Sequence, residues 1–201
     1  EFRRVLFRSD LAGMGACNEH MKAAHRKAYD VIKAGPGDFP LGLCVAMGDW
    51  WAPEGLEDAL RTNRYSHEGQ FLECARGDDF VGVQAYSRTR LDENGAPTGP
   101  EAGVELVSSM GYEFWPDALE VSIRHAAEVA GTPIYVTENG LGHDDDSRRV
   151  DYVTGALQGV GRCLDDGIDV RGYFYWSLLD NFEWALGYGP RFRSEEHTSE
   201  L

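Results

Sequence analysis

Apolar positions along this 201-residue chain switch repeatedly between a helical and an extended rhythm. Over residues 18–34, Met21, Ala24, Ala28, Val31 and Ile32 share one helical face, and Gly35-Pro36-Gly37 stops the helix. A compact apolar run from Leu41 to Met47 reads as a strand buried on both sides. Helical spacing returns from Gly55 to Ala75, and a second strand spans Phe80 to Tyr86. Residues 91–112 are rich in Gly, Pro and polar side chains and read as a long loop. The stretch "WPDALEVSIRHAAEVAG" predicts a helix with Pro116 near its first turn and Gly131 just past its end. A third strand, "IYVT", ends on Glu138 before an Asn139-Gly140 turn. Then come a helix over "SRRVDYVTGALQGVGRCLDDG" and a last strand, "GYFYWSLLD".

The order is α-β-α-β-α-β-α-β. Alternation of this kind implies a parallel sheet with helical crossovers. Residues with chemistry to offer gather just after the strands: Asp49, Trp50, Tyr86, Glu138, Trp176 and Glu183. A (β/α)₈ barrel places its active site at that face. An open doubly wound sheet also binds ligands at the carboxyl ends of its strands, so the alternation leaves both architectures open. No G-x-G-x-x-G follows a strand, which argues against a nucleotide site.

Strand alternation sorts these residues into faces. With Glu138 pointing into a barrel, Val136 and Ile134 are expected beside it, and Tyr135 and Thr137 toward the helices. On the second strand the matching face is Phe80, Gly82, Gln84 and Tyr86; on the last it is Gly172, Phe174 and Trp176. A carboxylate, a phenol, an indole and an amide thereby converge on one mouth. A lone acid at a strand end is ordinarily a helix cap or a surface charge; the convergence favours chemistry. The stretch "YWSLLDNFEWALGYGPRF" adds six aromatic residues mixed with Asp180, Asn181 and Glu183. Aromatic faces stack on the C–H faces of sugars, and carboxylates accept paired bonds from neighbouring hydroxyls. The competing reading of this stretch is an aromatic cluster in a core or an interface.

Charge narrows the partners. A net charge of −15 argues against nucleic acid and anionic membrane, both of which select basic surfaces. No run reaches the roughly 18 apolar residues of a membrane span. Cys17, Cys44, Cys74 and Cys163 form no C-x-x-C pair, so free thiols in a reducing, cytoplasmic compartment are expected. His20, His25, His67, His125 and His143 show no metal-binding spacing, and the acidic run 143–149 reads as a helix start rather than a calcium loop; neither metal nor cofactor is expected.

The two ends look foreign. "EFRRVLFRS" can be encoded by GAG TTC AGA CGT GTG CTC TTC CGA TCT, whose reverse complement translates to "RSEEHTSEL", the other end of the chain. One short DNA string resembling a sequencing-library adapter accounts for both. Residues 1–9 and 193–201 are therefore expected to be non-native, leaving 10–192 as the natural segment. The tails' charges, +2 and −2, cancel, so the whole −15 belongs to that segment. The true N-terminus is then absent, and a leader sequence stays open.

"IYVTENG" and "GYFYWSLLDNFEWALGYGPRF" together resemble the C-terminal signatures of glycoside hydrolase family 1, the β-glucosidase family, and the similarity runs through roughly residues 18–192. The resemblance implies an α/β fold, a partial (β/α)₈ barrel holding about strands five to eight with their helices. It implies a retaining β-glycosidase that cleaves O-glycosidic bonds of a β-glucoside or related β-glycoside. Glu138 matches the family's nucleophile and Tyr86 the tyrosine that orients it. Trp176 matches the platform beneath the sugar, Glu183 and Trp184 the pair holding its outer hydroxyls, and Phe192 the aromatic closing the pocket. The Glu-Trp pair favours an unphosphorylated sugar. Gln84 departs from the family's usual Asn in G-V-N-Y-Y, its amide shifted by one methylene, and is carried as a pocket residue.

One group is missing. Retaining hydrolysis uses two carboxyl groups about 5–5.5 Å apart. The family's second acid sits in an N-E-P motif, whereas Asn18-Glu19 precedes His20 and starts a helix. The acid/base is therefore expected upstream, in a missing N-terminal half-barrel, and the chain alone is expected to be inactive. A non-hydrolytic sugar-binding relative, or a structural half-barrel, is the alternative reading.

Overall fold

The structure, a computed structural model, describes residues 13–107 and 110–193. Residues 1–9 and 194–201 of the two foreign-looking tails lie outside the described residues. Arg193 lies inside them, its guanidinium 3.1 Å from the carboxylate of Asp180. The chain divides into two compact units, Glu1–Leu41 and Gly42–Leu201. The first contains helix α1 (Met14–Lys33), which begins four residues before the apolar face predicts. Asn18 and Glu19 sit inside this helix, where Glu19 pairs with Lys22 at 2.6 Å. Its last lysine, Lys33, donates to the carbonyl of Phe39 at 3.0 Å, tying the chain back after the Gly-Pro-Gly stop.

The second unit opens with strand β1 (Gly42–Trp51) and helix α2 (Glu57–Arg64). A π-helical turn (Tyr65–Gly69) joins α2 to helix α3 (Gln70–Cys74). Strand β2 (Phe80–Leu91) follows, then a two-residue strand β3 (Pro97–Thr98), helix α4 (Ala118–Ala130), strand β4 (Ile134–Asn139), helix α5 (Asp146–Asp165) and strand β5 (Val170–Tyr175). Local chemistry sets several boundaries. Gly131 ends α4 at φ 67°, a left-handed conformation that costs glycine least. Asp145 starts α5 by accepting the Ser147 N–H at 2.9 Å, so the acidic run does begin a helix. The expected 91–112 loop contains structure: Asp92 closes a turn by accepting the N–H groups of Asn94 and Ala96, and β3 folds back antiparallel on β2.

The parallel strands lie in the order β1-β2-β4-β5, each beside its sequence neighbour, with β3 appended to β2. A doubly wound sheet reverses direction at a switch point; this sheet does not. The sequential order, with α4 and α5 packed together against one face of the sheet, is that of half a (β/α)₈ barrel, whereas a doubly wound sheet carries helices on both faces.

The core lies between the sheet and α4 and α5. Val45, Val81, Val83, Ile134 and Val136 pack with Leu119, Ile123, Tyr152 and Ala156. Burying each large aliphatic side chain stabilises by about 1.5–3 kcal/mol. This corrects the expected facing of β4. Ile134 and Val136 turn to the helices, while Tyr135 meets the ring of Phe80 at 5.1 Å on the other face. A register shift follows: Val83 pairs with Val136, but Gln84 pairs with Glu138, leaving Thr137 as an extra residue. A bulge of this kind lets successive side chains point to one side. Thr137 and Glu138 therefore both project from the face opposite the helices, Thr137 against Gly82.

The last strand is also shorter than "GYFYWSLLD" predicts. Regular pairing stops at Tyr175 because Trp176 N–H turns to the carbonyl of Asn139 and Ser177 N–H to that of Phe192. The Trp176–Ser177 peptide bond is cis.

Candidate active site

Glu138 leaves the end of β4 and is held by two side chains from β2. Tyr86 donates its hydroxyl to Oε2 at 2.8 Å, and Gln84 donates its amide to Oε1 at 2.7 Å. Each carboxylate oxygen thus has one neutral donor and keeps lone-pair capacity for a reactant. Burial, reinforced by the bond to Glu138, pushes the Tyr86 phenol far above its ordinary range, so it stays a proton donor. Tyr86 is itself braced: its carbonyl accepts the buried hydroxyl of Tyr152 at 2.6 Å, and its ring meets Phe192 edge-on at 6.0 Å.

Behind Glu138 stands Asn139, completely buried. It donates to the Ala85 carbonyl at 2.7 Å and lies 3.2 Å from the Tyr152 hydroxyl, and its oxygen accepts from Tyr173 at 2.9 Å. The pair expected as a turn is thus a strand terminus welded to the core. Gly140 is required by close approach, since a Cβ there would sit 1.9 Å from the carbonyl oxygen of Trp176.

Glu138 opens onto a cavity of about 440 Å³, whose wall includes Tyr86, Trp176, Glu183, Trp184 and Phe192. Five of the seven residues singled out from sequence as site residues line it beside Glu138, and Gln84 reaches Glu138 directly. Trp184 adopts φ 43°, and the Glu183 N–H bonds the Gly187 carbonyl at 2.7 Å, folding the segment into a tight knot. Phe192 is clamped through its carbonyl, which accepts from Tyr175 at 2.9 Å and Ser177 at 3.1 Å. The ring packs where Gly142 leaves space, for a Cβ there would meet it at 2.9 Å.

Sequence reasoning missed Met110 and Tyr112, which also line the cavity. They lie in the expected loop, where the apolar cluster Met110-Gly111-Tyr112 was the available signal. Burial and then the charge of Glu183 push the Tyr112 phenol upward. Asp49 and Trp50, grouped from the sequence with the other strand-end residues, line no part of this cavity. Asp49 Oδ2 instead accepts two bonds from Arg88, at 3.0 and 2.6 Å, and one from Trp115 at 2.9 Å. Trp50 meets the ring of His67 at a tilt, with the centroids 4.9 Å apart.

This arrangement can present a carboxylate, aimed by two donors, to an electrophilic carbon in a cavity lined by aromatic rings and a second carboxylate, Glu183. Among the described residues no cluster of His, Cys, Asp and Glu has the makings of a metal site.

Comparison with known proteins places the chain. The description "Glycosyl hydrolase family 1" matches residues 73–193. A β-galactosidase of Sulfolobus acidocaldarius is 33% identical over 84% of this chain and 40% of its own length. A bifunctional β-D-glucosidase/β-D-fucosidase of Bifidobacterium breve is 43% identical over 86% of this chain and 50% of its own. A β-glycosidase crystal structure superposes with a TM-score of 0.82 at 45% identity, covering 93% of this chain and 43% of that one. The chain spans half or less of the length of these relatives. With one site assembled from β2, β4 and the segment after β5, and one family matched across all three, the chain belongs to glycosyl hydrolase family 1.

Proposed function

We propose that this chain is the C-terminal half, residues 10–192, of a retaining β-glycosidase acting on β-glucosides or closely related β-glycosides. The observation that carries the reading is the carboxylate of Glu138, oriented by Tyr86 and Gln84 at a cavity walled by Trp176 and Glu183. Names among the relatives, β-galactosidase and β-D-glucosidase/β-D-fucosidase, support a β-linked hexose.

In the first step Glu138 attacks the anomeric carbon as the bond to the leaving oxygen breaks. A second carboxylic acid gives that oxygen its proton. The product is a glycosyl ester on Glu138. The second group, now a carboxylate, takes a proton from water, whose oxygen attacks the anomeric carbon and releases Glu138. Trp176 supplies an apolar floor for the sugar, Glu183 and Trp184 bind its outer hydroxyls, and Phe192 closes the wall. Tyr86 and Gln84, each donating to one carboxylate oxygen, keep the nucleophile aimed. Glu183 is engaged by Asn181 at 2.7 Å, which suits it to binding rather than to proton shuttling. The second carboxyl group comes from the N-terminal half-barrel that completes the fold.

A full-length enzyme carrying this segment, treated with a 2-deoxy-2-fluoro β-glucoside and digested, should yield one labelled peptide, with the sugar on Glu138. Glu138→Gln should lower turnover of an aryl β-glucoside by about 10⁴-fold or more. Label on another residue, or an active Glu138→Gln, sinks the assignment; sugar binding without label or turnover makes the protein a non-hydrolytic binder.

A further inference from the structure

Asn181 lies two residues before Glu183 and lines the same cavity. Its amide nitrogen donates to Glu183 Oε2 at 2.7 Å. Its carbonyl oxygen is buried and meets no hydrogen-bond donor among the described residues. The amide orientation follows from the bond, since the reverse would set two acceptors against each other. Leaving a carbonyl oxygen buried and unpaired is unfavourable, and a surface role offers no compensation for it.

Three neighbouring contacts hold the amide in place. Asp180 accepts the backbone N–H of residue 193 at 3.2 Å, a bond that any residue but proline can make there, fixing the chain just before Asn181. The Glu183 N–H is fixed to Gly187, and the Leu186 N–H donates to the Glu183 carbonyl at 2.8 Å. With the backbone pinned on both sides, the remaining freedom of Glu183 lies in its side-chain torsions, and the bond from Asn181 to Oε2 restricts them, the carboxylate rotation included. The donor is neutral. An arginine or lysine there would neutralise the charge and compete with sugar hydroxyls; an amide orients the group and leaves Oε1 open.

We infer that Asn181 is a positioning residue that sets which sugar configuration the site prefers, by fixing the plane of the Glu183 carboxylate. The inference rests on the proposed role of Glu183 in holding the outer hydroxyls. Glucose and galactose differ only in whether the C4 hydroxyl is equatorial or axial. A carboxylate accepts two neighbouring hydroxyls only in its own plane, so a fixed plane discriminates between them and a rotating one does not.

The test uses the full-length enzyme with Asn181→Ala and Asn181→Asp. Asn181→Ala should raise KM for an aryl β-glucoside by about 10-fold with a smaller change in kcat, the pattern of lost ground-state binding. The glucoside/galactoside ratio of kcat/KM should move several-fold toward one. Asn181→Asp keeps the side-chain shape but places a second carboxylate beside Glu183, and two such groups share one proton. At low pH the shared proton replaces the amide N–H and KM should stay near wild type; as pH rises and that proton leaves, KM should climb through an ionisation that wild type lacks. An unchanged ratio in Asn181→Ala, together with a KM in Asn181→Asp that follows the wild-type pH profile, overturns the inference while leaving Glu138 as nucleophile untouched. Should the wild type bind sugar without cleaving it, the ratio of glucose to galactose Kd, measured by calorimetry in the same variants, replaces the kinetic ratio: a shift toward one supports the inference and an unchanged ratio overturns it.

Discussion

Two acids in this chain, Glu138 and Glu68, are treated differently by their surroundings. Glu138 is met by two neutral donors at the edge of a cavity. Removing one of them by Tyr86→Phe takes away a hydrogen bond to a charged group, worth about 1.5–3 kcal/mol, so kcat/KM of the full-length enzyme should fall roughly 10- to 100-fold. Glu68 is fully buried, and burial pushes its carboxyl up to about 7 although Arg64 pulls the other way. Burial, and then the charge of Arg64, holds the His125 imidazole down to about 4. The signs oppose. Glu68, raised from 4.5, contributes stability that is complete below 4.5 and lost as pH rises through about 7. His125, lowered from 6.5, contributes stability that is complete above 6.5 and lost as pH falls through about 4. Between pH 4.5 and 6.5 the two slopes cancel in part. Denaturant titrations across that window should show stability rising with pH in Glu68→Gln and falling with pH in His125→Asn. Parallel slopes in the two variants would contradict the assignment.

Strand β4 is the element that makes the site. Its first residues, Ile134 and Val136, are core; one extra residue, Thr137, changes the facing so that Glu138 emerges opposite the helices and Asn139 returns to the core. The apolar run and the terminal acid were legible in the sequence. The facing was not, because alternation assumes an unbroken register and nothing in Ile-Tyr-Val-Thr-Glu marks a bulge. Asn139 was misread for a related reason: Asn-Gly is a strong local turn signal, but three buried partners outweigh it. Leaving each buried partner unpaired costs about 1–3 kcal/mol, so Asn139→Ala should destabilise the protein by about 3 kcal/mol, measured by denaturant midpoint at constant m. A loss below about 0.5 kcal/mol would mean that the network is not structural.

At the scale of the molecule, half a barrel has an unfinished surface. The face opposite the helices exposes Cys44 and Ala46 on β1 and leaves Phe174 on β5 58% exposed. β1 and β5 are both edge strands, and unpaired edges template association. The segment after β5 adds Leu178, Phe182 and Tyr188, exposed at 62%, 61% and 74%. The 201-residue chain by itself is expected to associate, read by light scattering after gel filtration, and to turn over aryl β-glucosides negligibly. Co-expression with the N-terminal half of a full-length relative should yield a soluble 1:1 complex that hydrolyses them. A monodisperse monomer with robust activity abolished by Glu138→Gln would refute the need for a second half.

The sequence by itself determined the alternation of the main helices and parallel strands, the family signatures and most of the residues that line the cavity, since short-range periodicity and spacing are properties of the chain alone. Tertiary structure decided the rest. Whether the sheet runs in sequential order or reverses, which way Glu138 faces after the bulge, that Gln84 reaches its carboxylate, and that Met110, Tyr112 and Asn181 join the wall all depend on how segments far apart in the chain are brought together. Register is set by which side chains fill the core together, and no local pattern contains that sum.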